Sequence, residues 1–282
     1  MDSFIQDFRY SIRNLFKSPG FAVASILTLA IGIGATTAIF SVVDAVLVKR
    51  LPYKEPERIV AIWEKTPSGV KNPVSSAEFV DWKTQNQVFD YITAIDSAMF
   101  NLSEKNDPEQ VLGILGSAGL FQVLGINPSL GRGFSPEEEN PGRDKVVVLS
   151  HGLWQRRFRS DRNIVGTSVR INDEKYTIIG VMPHSFRFLS ARVELWMPLA
   201  LKADHLNRQL HYLSVYGRLK PSSGLNDAQA DMDVITRNLE RQYPESHRKN
   251  WGTLVLPLHD QIVTPDLRQS LLIFFAAVSL CF

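Results

Sequence analysis

Six histidines, at positions 151, 184, 205, 211, 247 and 259, and the single cysteine Cys281 are the residues best equipped for metal or nucleophilic chemistry. Their spacing builds neither. No H-E-x-x-H pair presents two imidazoles on one helical face, one cysteine cannot start a zinc cluster, and His205 and His211, six apart, share no helical face. Ser150-His151 and Ser214 lie outside any G-x-S-x-G elbow, which removes the usual serine-hydrolase arrangement. The row Gly113, Gly116, Gly119 lacks the Lys-Ser/Thr that completes a phosphate cradle, so the chain shows no ATP-hydrolysing motif of its own. The expectation is a protein without a catalytic, cofactor or metal site, its aromatics Trp63, Phe79, Trp82, Phe121 and Trp154 serving as core.

The charge pattern is more informative. Thirty-one Lys plus Arg against 29 Asp plus Glu leave a net +2 over 282 residues, too little for a phosphate-gripping nucleic-acid binder. With 44% hydrophobic and 21% charged residues, the chain is neither wholly disordered nor a disulfide-dense mini-protein. Between Gly20 and Val48 the only charge is Asp44, and Gln269 to Phe282 has none. The first stretch exceeds the roughly 20 residues that cross a bilayer as a helix, and it is longer than the apolar region of a signal peptide, about 7–15 residues. Residues 19–48 therefore read as a retained transmembrane helix, with Asp44 at its interfacial end.

Small residues line this helix in two rows, Ala24, Thr28, Gly32, Thr36 and Ala30, Gly34, Ala38. Lipid does not drive helices together, so such rows offer close backbone approach to neighbouring helices; Gly32, Thr36, Ala30, Gly34 and Ala38 are the expected packing positions. Ahead of the span, residues 1–18 read as an amphipathic interfacial helix, with Phe4, Phe8, Ile12 and Leu15 on its apolar side. Arg9, Arg13 and Lys17 form a basic row facing anionic headgroups, and Ser18-Pro19-Gly20 turns the chain into the bilayer. At the other end, Thr264-Pro265-Asp266 opens an apolar run, and residues 266–282 read as the start of a second membrane helix.

The intervening residues 49–265 have ordinary soluble composition and an α+β pattern. Strands are expected at 59–63, 91–95, 110–115, 146–149, 193–196, 212–219 and 253–256. A hairpin is expected to turn at Asn172-Asp173, and Ser75-Ser-Ala-Glu78 has capping-box spacing before a helix. The clearest soluble helix runs from about Asp227 to Gln242, with Ala228, Met232, Ile235 and Leu239 at core spacing. Residues 117–190 are expected to form a lobe of their own. With Cys281 outside it, the domain must hold together without a disulfide.

Several of these segments together resemble a known family. Ser18-Pro19-Gly20, the span through Gly32-Ile-Gly34, Leu51-Pro-Tyr53, Gly119-Leu-Phe-Gln-Val-Leu-Gly-Ile-Asn-Pro-Ser-Leu-Gly-Arg-Gly-Phe134, Val147-Val-Leu-Ser-His-Gly-Leu-Trp154, Ile178-Ile-Gly-Val-Met-Pro183 and Leu195-Trp-Met-Pro198 are similar to MacB/FtsX-type ABC transporter permeases with a MacB-like periplasmic core domain. The resemblance implies residence in the bacterial inner membrane, with residues 49–265 extracytoplasmic, and a mechanotransmission role in export or envelope release. It implies no cofactor in this chain, ATP being used by a separate cytoplasmic ABC ATPase, and pairing as a homodimer or with a second permease half. An FtsX-like regulator that activates a cell-wall hydrolase is the alternative, and an anchored periplasmic enzyme a third.

Overall fold

The computed structural model describes residues 19–44, 51–104, 107–190, 192–201, 206–245, 250–263 and 265–280. The chain divides into two units, one holding the apolar helices α1 (Pro19–Val43) and the later α7 (Pro265–Leu280), the other comprising Leu51–Gln261. Helix α1 spans 25 residues, long and apolar enough to cross a membrane. Residues 45–48, the last part of the expected span after Asp44, and the basic row at Arg9, Arg13 and Lys17 lie outside the described residues.

The second unit is built on one twelve-stranded sheet. In chain order it contains β1 (Ile59–Lys65), β2 (Lys71–Asn72), β3 (Val74–Ser75), α2 (Ser76–Gln85), β4 (Phe89–Glu104), β5 (Asp107–Gly116), α3 (Leu120–Leu124), β6 (Leu130–Gly131), β7 (Val146–Leu149), α4 (His151–Phe158), β8 (Ser168–Ile171), β9 (Glu174–Val181), β10 (Val193–Pro198), β11 (His211–Leu219), α5 (Leu225–Gln242), β12 (Gly252–Pro257) and α6 (Leu258–Ile262). The strand order is β12-β1-β11-β4-β5-β10-β7-β9-β6. Strand β1 shows how both faces are covered. Its odd positions Ile59 and Ala61 join one core with Leu120 and Phe121 of α3, while Val60 and Ile62 join another with Trp82 of α2 and Met232, Ile235 and Leu239 of α5. Sheet faces covered by helices on both sides demand such a run of buried residues rather than alternation with polar ones.

Two segments expected as short separate strands, 91–95 and 110–115, are parts of one long hairpin, β4 and β5, paired from Ile95↔Gly116 to Glu104↔Asp107. Asp96, Ser97 and Asn101 interrupt the apolar pattern that marks a strand, yet sit where the hairpin meets solvent. The hairpin also redraws the expected lobe. Strand β8 pairs with both β4 and β9, so β4, β5, β10, β7, β9 and β8 close a ring of pairings around Leu102, Val147, Leu149, Leu153, Ile171, Ile178 and Leu195. That lobe therefore takes the far halves of β4 and β5 and all of β10 in addition to residues from 117–190. Its β8–β9 turn uses Asn172 and Asp173 at φ 48° and 65°, the two left-handed positions of a two-residue hairpin.

The glycine row is structural. A Cβ on Gly113 would meet Leu195 Cδ1 at 2.4 Å, and one on Gly116 would meet Leu120 Cδ2 at 2.7 Å. These residues let side chains cross the backbone of β5 closely. Ser150 serves as the N-cap of α4, accepting from Leu153 N at 3.0 Å.

Candidate functional site

In the helical unit, α1 packs against α7, with Phe40 and Phe275 at 6.3 Å between ring centroids. Gly32 is the buried residue of α1, and Ala35, Thr36 and Ile39, which follow it at helical spacing, are half-buried. The second small-residue row lies elsewhere: Ala30, Gly34 and Ala38 are exposed, as are Ala24 and Thr28, and a Cβ on Gly34 would meet nothing within 4 Å. Thr28 and Ser41 satisfy their hydroxyls on the carbonyls of Ala24 and Thr37, at 2.9 and 2.8 Å, as an apolar solvent requires.

In the sheet unit the first and last long strands meet on one ladder. Strands β1 and β12 pair antiparallel from Val60↔Pro257 to Lys65↔Gly252. The segment that enters β1 is tied down by two arginines. Arg218, 5% exposed, donates from Nε to Val123 O at 2.8 Å and from Nη2 to Lys54 O at 2.6 Å. Arg58 donates from Nε to Leu219 O at 2.9 Å and pairs with Asp90 at 2.6 Å. The segment that leaves β12 is held by the Trp63 indole, which donates to Gln261 Oε1 at 3.0 Å. This role explains why Trp63, expected in the core, is only half-buried, whereas Phe79, Trp82 and Phe121 are fully inside.

The same strand β1 carries the densest buried chemistry. Alternation continues Val60 and Ile62 to Glu64, on the face covered by α2, so a carboxyl enters the interior at 3% exposure. Glu78, at the third position of α2, is 5% exposed, and the His211 side chain, from the first residue of β11, is 9% exposed. Glu64 Oε2 lies 2.8 Å from His211 Nδ1, and one donor atom from each of the three residues falls within 4.8 Å of the others. The capping box expected at Ser75 is only half made. Ser75 Oγ accepts from Glu78 N at 3.2 Å, but the Ser75 N–H is taken by Glu64 Oε1, also at 3.2 Å. The Glu78 carboxylate, released from that duty, turns to Ser75 Oγ at 3.3 Å and to Glu64.

Burial first, and the adjoining Glu78 second, push the Glu64 carboxyl up to about 10, so it holds a proton at neutral pH. Trp251 lies against His211 with centroids 5.6 Å apart. Sequence spacing did not reveal this group because its members come from β1, α2 and β11. Of the histidines at 205 and 211, His211 belongs to this group and His205 lies outside the described residues.

A groove of about 390 Å³ is lined by Lys83, Phe89, Tyr91, Gly119, Gln122 and Pro136 among others. Its cation is already neutralised, Lys83 Nζ sitting 2.5 Å from Glu139 Oε2. It offers no nucleophile beside a base.

The family described as the MacB-like periplasmic core domain matches residues 22–235. The macrolide export ATP-binding/permease protein MacB of Shigella dysenteriae serotype 1 (strain Sd197) is 25% identical over 138 residues, 48% of this chain and 21% of that protein. The chain thus spans about a fifth of the length of this curated relative. A domain described as part of a permease protein from Porphyromonas gingivalis superposes with a TM-score of 0.53 at 15% identity, over 73% of this chain and 92% of that one. The extracellular domain of the noncanonic ABC-type transporter YknZ from Gram-positive bacteria gives 0.50 at 10% identity, over 70% and 99%. At such identities the two structures share the fold alone.

Proposed function

This chain belongs to the family of the MacB-like periplasmic core domain, and from that premise we propose that it is the permease part of an ABC-type transporter whose outer domain is moved by a separate cytoplasmic ATPase. The family makes the domain extracytoplasmic, and the 25-residue apolar helix α1 anchors it at the bacterial inner membrane. The work of the assembly is export or envelope release, with a second permease half or a second copy completing it.

The observation that supports this reading is the pairing of β1 with β12. The chain enters the domain on one strand and leaves it on the neighbouring one, so force applied at either end reaches the same hydrogen-bonded ladder. Arg218, Arg58 and Trp63 fasten the flanking segments to that ladder. Rigid fastening is what a transmitted motion needs, because a slack linker would absorb it.

The test is purification of the full chain, tagged, from its own membranes in mild detergent. An ABC ATPase is expected to co-purify, and a dye on Met99→Cys, an exposed position on β4, should change its emission when ATP is added and not when a non-binding analogue is added. A partner-free chain, or a dye indifferent to nucleotide in the complex, would overturn the reading.

A further inference from the structure

Glu64, Glu78 and His211 have no part in the transmission described above, and their chemistry calls for something else. We propose that they form a structural site for one divalent cation of the zinc class, which staples β1, α2 and β11 together. The donors are two carboxylate oxygens and one imidazole nitrogen, lying within 4.8 Å of one another. Zinc, with bonds of about 2.0–2.2 Å to oxygen and nitrogen, holds tetrahedral ligands roughly 3.3–3.6 Å apart, so only small side-chain shifts separate this arrangement from ligation. Calcium, which takes about 6–8 oxygens, and magnesium, which keeps several waters, fit a buried set with one nitrogen poorly.

Three observations point to an ion rather than to a simple polar contact. Glu64 is 3% exposed, its Oε1 accepts from Ser75 N, and its carboxyl also meets the side chains of Asn72 and Glu78, so polar groups gather around a desolvated acid. His211 Nδ1 stands 2.8 Å from that same oxygen, so a nitrogen and an oxygen of ligand type converge on one desolvated point. No Lys or Arg among the described residues forms an ion pair with Glu64. A desolvated carboxyl of this kind is costly unless a positive partner or a proton occupies the site, and a bound cation would take the place of the proton that Glu64 otherwise keeps.

The surroundings also supply what ligands need behind them. Ser75 contacts both carboxyl groups, through its N–H and its hydroxyl, and Trp251 flanks the imidazole. The three ligands are distant in sequence, so an ion bound there closes long loops in a domain that has no disulfide. That is a folding role, independent of nucleotide-driven motion.

The test uses the full chain in detergent, stripped with EDTA and then titrated with zinc chloride alone. The expected result is about one zinc retained per chain by elemental analysis, with a rise in unfolding temperature of about 5–10 °C at a hundred-fold excess over Kd. Glu64→Gln and His211→Gln should each abolish both effects. Should either variant fail to fold, cobalt in the wild-type chain decides. Visible bands of tetrahedral cobalt without a thiolate charge-transfer band support the site, whereas a thiolate band would move the ion to Cys281 and overturn it. Undiminished zinc binding in both variants, or a folded wild-type chain whose unfolding ignores zinc, would equally overturn it.

Discussion

Helix α1 and strand β1 are both written in apolar residues, and they dispose of them in opposite ways. Along α1, Phe21 and Ile31 stay 72% and 65% exposed, and Gly32 is the buried residue. Along β1, Ile59 through Ile62 are all inside. For α1 the surrounding solvent is lipid, which matches its side chains, so apolar surface brings little gain from pairing and contact with α7 has to rest on local packing such as the Phe40–Phe275 pair. For β1 the outside is water, and burial itself drives assembly. Only the second setting supplies the rigid, desolvated surroundings in which a group such as Glu64, Glu78 and His211 can be held.

The sharpest way to break this contrast is to remove apolar mass from each side. Trp82→Ala, emptying a position 2% exposed between α2 and the sheet, should cost about 3–5 kcal/mol and leave the core domain open to limited proteolysis. Ile31→Ala, on the exposed face of α1, should leave the domain's proteolysis and denaturant midpoint within about 0.5 kcal/mol of wild type. Equal losses would erase the distinction between lipid-facing and water-excluding residues.

The next effect is confined to the core. In EDTA, the folded chain keeps a proton on Glu64 up to a pH of about 10, while the unfolded chain releases it in the ordinary carboxylate range. Between those values the native state binds more protons than the unfolded state, so stability falls as pH rises, by at most about 1.4 kcal/mol per pH unit for one proton. Thermal melts from pH 6 to pH 8 should show that decline, and Glu64→Gln should flatten it. A slope unchanged by the substitution would assign the proton elsewhere.

A smaller effect separates the two small-residue rows. With Cys281→Ser as background, cysteines replacing Phe40 and Phe275 should cross-link α1 to α7. Adding Gly32→Leu should lower the yield roughly tenfold, about 1.4 kcal/mol, whereas Gly34→Leu on the open face should leave it unchanged. Equal yields would show that Gly32 is not the point of approach.

The smallest change belongs to the cap of α2. Ser75→Ala should reduce stability by about 1 kcal/mol in urea melts, through loss of the 3.2 Å bond from Glu78 N.

Much of the architecture was legible from residue order, and for a definite reason. The α5 positions Ala228, Met232, Ile235 and Leu239 announced their burial by spacing, and Asn172-Asp173 announced its turn, because local geometry decides both. The length and composition of α1 likewise needed no partner to be recognised. What residue order could not convey was contact between distant segments. The ring closed by β8 on β4, the burial of Gly32 while Ala30, Gly34 and Ala38 stay open, and the transfer of the Ser75 N–H from Glu78 to Glu64 all depend on neighbours supplied by tertiary pairing. His211 reads as an unremarkable histidine until β11 sets it beside Glu64. Periodicity encodes which face of an element is apolar, whereas only the folded chain decides which polar groups those faces enclose together.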